Sequence, residues 1–355
     1  MTCVPQLKNG RNENIFQLPY LNFYYLLKNM GSFDRIPIID IGEINQIDGP
    51  GIKSIVRQIQ KAYGTAGFAY LLNHGVDPFL IKQLFQKSIE FHSLSYEEKI
   101  KIELNELHRG FIPINTSTDK NSKLAVVTKP NQSESFIMMR EADMNDPAVK
   151  SGDYLAGPNQ WPEELPGFQE TLTNYFDVLT QLCHKICRAI ALALGADLKT
   201  FAAEFNPPTT FLRLIKYPPI LQNESSNLYG SAPHTDFGCI TILAQDETGG
   251  LQVKNTDGQW IDAPFIKDSF VMNIGDMLHR WSNGLLISTP HRVINSTGQE
   301  RFSCPFFFEP NVNAKVSPLP SCITHRRPKQ FDSIIYGEFL RTELQTGYDR
   351  HAVNN

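Results

Sequence analysis

The chain reads as a mixed α/β domain, mainly β, with helices first and short strands after them. Up to Gly195 the apolar residues recur at the helical period, and from Thr209 the period switches to two. Seven short strand-like runs then follow one another as far as Phe308, a density that points to a barrel or sandwich.

The elements can be justified in order. Ile36–Ile41 reads as a short buried strand, and Ile52, Ile55, Val56, Ile59 and Tyr63 follow at helical spacing. Gly67–Leu72 reads as a second strand, closed by Asn73-His74-Gly75. Asp77 caps a helix with Pro78 at its first position, and Ser95 with Glu98 forms a capping box for the next. From His108 to about Gln160 the pattern weakens into what reads as a long covering loop. The longest helix opens after Leu165-Pro166-Gly167, keeps an apolar stripe from Phe168 to Leu194, and stops at Gly195. Its stripe is expected to back a sheet.

The strands expected beyond it are Phe211–Tyr217, Cys239–Leu243, Leu251–Val253, Trp260–Ala263, Ser269–Asn273, His291–Val293 and Arg301–Phe308. Asp257-Gly258 is a hairpin turn between two of them. A helical tail is expected around Ser333–Thr346. The expected divisions are an extension (1–35), a helical region (36–200), a strand-rich core (201–315) and a tail (316–355). Apolar clusters at Phe16–Tyr20 and Phe23–Leu27 suggest a helix packed on the body.

Composition narrows the function. Hydrophobic residues make up 41% of the 355, enough for a sizeable core. The net charge of −4 carries no long run of one sign, so neither a nucleic-acid nor a membrane partner is expected. No apolar run approaches the ~20 residues of a membrane span, and polar residues interrupt the N-terminus, so no signal peptide is read. Six scattered cysteines without a CxxC suit reduced thiols in a cytoplasm. Cys183 and Cys187 flank His184, but four-residue spacing also places two small apolar side chains on one face of a core helix. A monomer is the expected state.

The chemistry concentrates between Ser231 and Pro310. His234 and Asp236 are two apart, so in an extended run both side chains share a face. His291 lies 55 positions beyond Asp236 and opens a later strand. Two imidazoles and one carboxylate leave metal positions open, whereas a structural zinc site uses four protein ligands. Imidazole suits Fe(II), Zn, Cu and Ni alike. His-x-Asp alone is as often a surface turn, and a lone histidine is more often structural. The joint pattern favours an oxygen-activating iron centre.

Ten positions after His291 come Arg301 and Ser303, which alternate with Pro305, Phe307 and Glu309 along one strand face. A buried arginine needs an anionic partner, either a dicarboxylate ligand or an acidic side chain of the protein. Tyr217 ends its strand as a possible further hydroxyl donor. The pairing of Asp276 with His279 resembles another ligand pair, but Asp276 reads as a turn former. His74, His92, His108, His184, His325 and His351 read as structural or surface residues.

These motifs in order resemble the 2-oxoglutarate- and Fe(II)-dependent dioxygenases of the isopenicillin N synthase-like group. The resemblance runs through Gly67–Gly75, Arg109-Gly110-Phe111, Tyr217-Pro218-Pro219, His234-Thr235-Asp236 and Gly249–Val253. It continues through Asn273–Asp276, Ser282-Asn283-Gly284, His291-Arg292-Val293 and Arg301-Phe302-Ser303. It implies a double-stranded β-helix (jelly-roll) core backed by helices. It implies Fe(II) on His234, Asp236 and His291, with 2-oxoglutarate on the iron and its far carboxylate on Arg301 and Ser303, Tyr217 assisting. With O2, such an enzyme hydroxylates, desaturates or cyclises a small-molecule substrate and releases succinate and CO2. The alternatives are an oxidase of the isopenicillin N synthase type that does not use 2-oxoglutarate, or a β-helix binding protein without turnover. Phe307, and Phe136 from the covering segment, are the candidate substrate-pocket residues, and they suit an apolar or aromatic molecule.

Overall fold

A computed structural model describes residues 32–46, 49–117, 124, 129–219 and 228–347. The expected N-terminal apolar clusters lie outside them. In chain order the strands are β1 (Ile38–Asp40), β2 (Phe68–Leu72), β3 (Gly110–Ile112), β4 (Glu134–Met139), β5 (Thr209–Tyr217), β6 (Ser231–His234) and β7 (Ile240–Gln245). They continue as β8 (Leu251–Lys254), β9 (Trp260–Asp262), β10 (Ser269–Ile274), β11 (His291–Val293), β12 (Arg301–Glu309), β13 (Lys315–Val316) and β14 (Ile334–Ile335). The helices are α1 (Pro50–Tyr63), α2 (Pro78–His92), α3 (Tyr96–Ile100), α4 (Pro147–Ser151), α5 (Phe168–Leu194), α6 (Leu198–Ala203), α7 (Asp276–Trp281) and α8 (Tyr336–Gly347).

Eight strands form the larger sheet, in the order β1-β2-β10-β7-β12-β5-β4-β3, and four form the smaller one, β6-β11-β8-β9. These two sheets are the walls of the jelly roll. The sequence places β12 at its centre through simple alternation. Cys304, Phe306 and Phe308 point outward into the main core, where they meet the stripe of α5 through pairs such as Phe176–Phe306. The residues between them point into the barrel. A second, smaller core fills one end of that interior with Ile215, Tyr217, Leu251, Val253, Val271 and Val293.

Local signals act as read from sequence at both ends of the helices. Asp77 accepts from the Phe79 amide at the start of α2, and Gly195 ends α5 in the left-handed region at φ 60°. The Asp257-Gly258 turn joins β8 to β9, with Gly258 at φ 83°. Cys183 and Cys187 are buried in α5 as free thiols.

The expected covering loop is the main correction. The 108–160 segment contributes β3 and β4 to the edge of the larger sheet, in register Phe136↔Leu214, together with the short helix α4. Each strand is too short, and too mixed in polarity, to show a period of its own; the neighbouring β5 supplies the pairing. The tail is also more than helical, since β13 pairs with β14 before α8 begins.

Candidate active site

His234 ends β6 and sits directly opposite His291 at the start of β11, so strand pairing alone brings two distant histidines together. Their ring centroids are 4.2 Å apart. Asp236 follows two residues later, and its Oδ1 lies 3.6 Å from Nε2 of each histidine. One donor atom from each of the three falls within 4.8 Å of the others, a cluster sized for one ion.

Backbone carbonyls fix the tautomers. His234 Nδ1 donates to the Ala232 carbonyl at 2.7 Å, and His291 Nδ1 to the Thr289 carbonyl at 3.2 Å. Each Nε2 is thereby left as a lone-pair donor facing the carboxylate. Asp236 Oδ2 accepts from Asn273 Nδ2 at 2.7 Å and from the Thr241 hydroxyl. Burial works to raise the Asp236 carboxyl, but the facing imidazoles and these two donors hold it below its ordinary range.

The turn that carries Asp236 is pinned by α7. The Asp276 amide donates to the Asp236 carbonyl and the Met277 amide to the Gly238 carbonyl, both at 2.8 Å. Gly275 is required there, because a Cβ would run into the backbone of Asp236 and Gly238. The Asp276 carboxyl accepts from Thr235 at 3.2 Å, and burial raises it. Asp276 thus forms the expected turn and also reaches the cavity.

Arg301 is 0% exposed on β12. Its Nε donates to the Gly249 carbonyl at 2.5 Å and its Nη2 to Gln245 at 3.4 Å, while Nη1 has no hydrogen-bond partner among the described residues. The guanidinium stacks 4.7 Å from the Tyr217 ring centroid. The Ser303 hydroxyl lies 3.5 Å from the Tyr217 hydroxyl. A buried cation whose Nη1 has no partner among the described residues, beside two hydroxyls, calls for an anion. The carboxylate partner within the protein, which the sequence left open, is not found among the described residues.

A cavity of about 710 Å³ opens onto His234 and Asp236. Phe307, Glu309, Phe211, Arg213, Phe237 and Ile137 line it, and α8 contributes Phe339 and Leu344. Phe307 faces it, as the alternation of β12 requires. Phe136 does not. It is wholly buried and packs on Phe91, Phe168 and Trp161, because its strand neighbour Ile137 holds the inward position. Glu309 is 3% exposed, not a surface residue, and burial raises its carboxyl well above the usual range. His108 also lines the cavity, where a structural or surface role was expected. The supporting donors Thr241 and Asn273 carry no spacing signal; only strand register brings them beside Asp236.

Comparison with known proteins agrees with this geometry. Residues 208–310 match the 2OG-Fe(II) oxygenase superfamily, and residues 36–164 match the N-terminal region described as non-haem dioxygenase in morphine synthesis. A homoarginine-6-hydroxylase of Glycine max is 36% identical over 332 residues, covering 89% of this chain and 98% of the relative. The 2-oxoglutarate-Fe(II) type oxidoreductase hxnY of Emericella nidulans is 31% identical, covering 88% and 90%. The crystal structure of a full-length Neurospora crassa protein in complex with alpha-KG and thymine superposes with a TM-score of 0.77 at 30% identity, covering 88% of this chain and 97% of that one. The chain belongs to the 2OG-Fe(II) oxygenase superfamily. It is an oxidoreductase that uses Fe(II), 2-oxoglutarate and O2 to oxygenate a small molecule.

Proposed function

We propose that His234, Asp236 and His291 hold the iron, and that Arg301, Ser303 and Tyr217 hold the far carboxylate of 2-oxoglutarate. The observation that carries the second assignment is the unpartnered Nη1 of a wholly buried Arg301. The donor set of the three clustered residues suits Fe(II) and leaves half an octahedron open. When bound, the iron would let O2 serve as the oxidant, with 2-oxoglutarate oxidised to succinate and CO2 alongside the substrate.

The protein's own work is positional. The two Nδ1–carbonyl hydrogen bonds fix the ring orientations and leave each Nε2 to face the metal. Asn273 and Thr241 orient the Asp236 carboxylate. The aromatic side chains Phe211, Phe237 and Phe307 limit water beside the reacting group and hold a substrate face against the metal side of the cavity. Relatives support a small nitrogen-bearing substrate: the Glycine max protein is named for homoarginine, and the Neurospora crassa structure holds thymine.

The same reading takes the protein as a monomer in a reducing cytoplasm. The described cysteines are buried free thiols, which supports the second point. Among the described residues no helix is long and apolar enough to cross a membrane.

The test is anaerobic. Fe(II) and then 2-oxoglutarate are added to the purified protein, and the visible charge-transfer band of a chelated keto acid is recorded. The wild type is expected to form the band and His291→Ala to lose it. A wild type that binds iron but forms no band would show that 2-oxoglutarate does not chelate this site.

A further inference from the structure

We propose that Glu309 selects the substrate, and that the substrate offers it a cationic nitrogen, an ammonium or a guanidinium. This deepens the reading above and rests on its assignment of the metal ligands. Glu309 ends β12 on the strand face that also carries Arg301 and Ser303, and lines the cavity beside His234 and Asp236. Its Oε2 accepts from the Cys239 amide. Its Oε1 accepts no hydrogen bond among the described residues. The carboxyl lies so close over Gly238, two residues on from Asp236, that a Cβ there would overlap it.

Charge decides what it awaits. The two positive charges of Fe(II) and the one of Arg301 are matched by Asp236 and by a 2-oxoglutarate dianion. That balance leaves no positive charge for Glu309, whose carboxyl burial raises, so its charged form needs a cation brought by the substrate. A buried carboxylate without one is costly, and a bound cation removes that cost. Arg213 lines the same cavity, but its Nε donates to Ser135 at 2.9 Å, and it forms no ion pair with Glu309 among the described residues. By register, Glu309 faces Thr209, four residues from Arg213 and so about 14 Å along the strand. Phe237 and Phe307 line the same cavity and suit a delocalised cation.

The experiment is a calorimetric titration, under argon, of the holoenzyme loaded with Fe(II) and 2-oxoglutarate. The probes are L-homoarginine, L-arginine, the neutral isostere L-citrulline, and thymine. The cationic pair is expected to bind about thirtyfold or more tightly than citrulline or thymine, and Glu309→Gln to lose that margin. The variant's 2-oxoglutarate band should be unchanged. Equal binding of citrulline or thymine, no binding of the cationic pair, or full cation affinity in Glu309→Gln would each overturn the proposal. A wild type that shows no band yet keeps the Glu309-dependent margin sinks the 2-oxoglutarate reading and leaves this one standing.

Discussion

Asn273 Nδ2 donates to Asp236 Oδ2 at 2.7 Å, and with the Thr241 hydroxyl on the same oxygen this turns Oδ1 toward His234 and His291, each at 3.6 Å. The carboxylate is aimed by a residue that touches neither histidine. Removing the amide in Asn273→Ala frees the carboxylate to rotate. Iron affinity should fall about 10- to 100-fold, the usual cost of losing such a support, while the fold survives. Competition against a chromophoric Fe(II) chelator reads it, and an unchanged affinity would leave Thr241 as the sole orienting donor.

Arg301→Ala separates the co-substrate from the metal. The variant loses a buried charge-assisted contact, worth about 2–5 kcal/mol in comparable pairs. The 2-oxoglutarate concentration needed for half-maximal succinate release should rise about thirtyfold or more, with iron affinity unaltered. A parallel loss of iron would mean that Arg301 supports the barrel and does not read the anion.

Much of this site was legible in the chain because its spacing signals are local. His234 and Asp236 share a face by counting two, and Arg301, Ser303 and Phe307 share one by the same rule. Phe136 failed because the segment around it showed no period; pairing with β5 fixed its facing, and that pairing is not encoded within six residues. Thr241 was missed, and the roles of Asn273 and His108 went unread, for a related reason. Their roles follow from which strands and loops become neighbours, a property of the whole barrel.

Gly250 is a second place where the backbone serves the proposed anion site. It sits at φ 91°, and a Cβ would meet the Ile294 carbonyl, while the adjacent Gly249 carbonyl accepts from Arg301. Gly250→Ala forces both a left-handed alanine and a backbone shift. A destabilisation of about 1–3 kcal/mol is expected in thermal unfolding, with a raised 2-oxoglutarate requirement in whatever remains folded. Wild-type behaviour in both measurements would mean that the Gly249–Gly250 turn can move without disturbing Arg301.

The fold also carries a pH liability outside the active site. His92 ends α2, is buried, and has its imidazole pushed down to about 3 by burial, while its Nδ1 bonds the Ser88 carbonyl at 2.7 Å. In the unfolded chain the same group titrates near 6.5. Between about pH 6.5 and 3 the unfolded state therefore binds a proton that the folded state refuses, and stability falls as pH falls. The slope from this group alone is about 1.4 kcal/mol per pH unit. His92→Phe removes the titration whatever it does to packing. Urea unfolding at pH 6.0 and 5.0 should show the variant losing about 1.4 kcal/mol less than the wild type over that step. Equal losses would place the acid sensitivity in other groups and leave His92 able to take up its proton in the folded state.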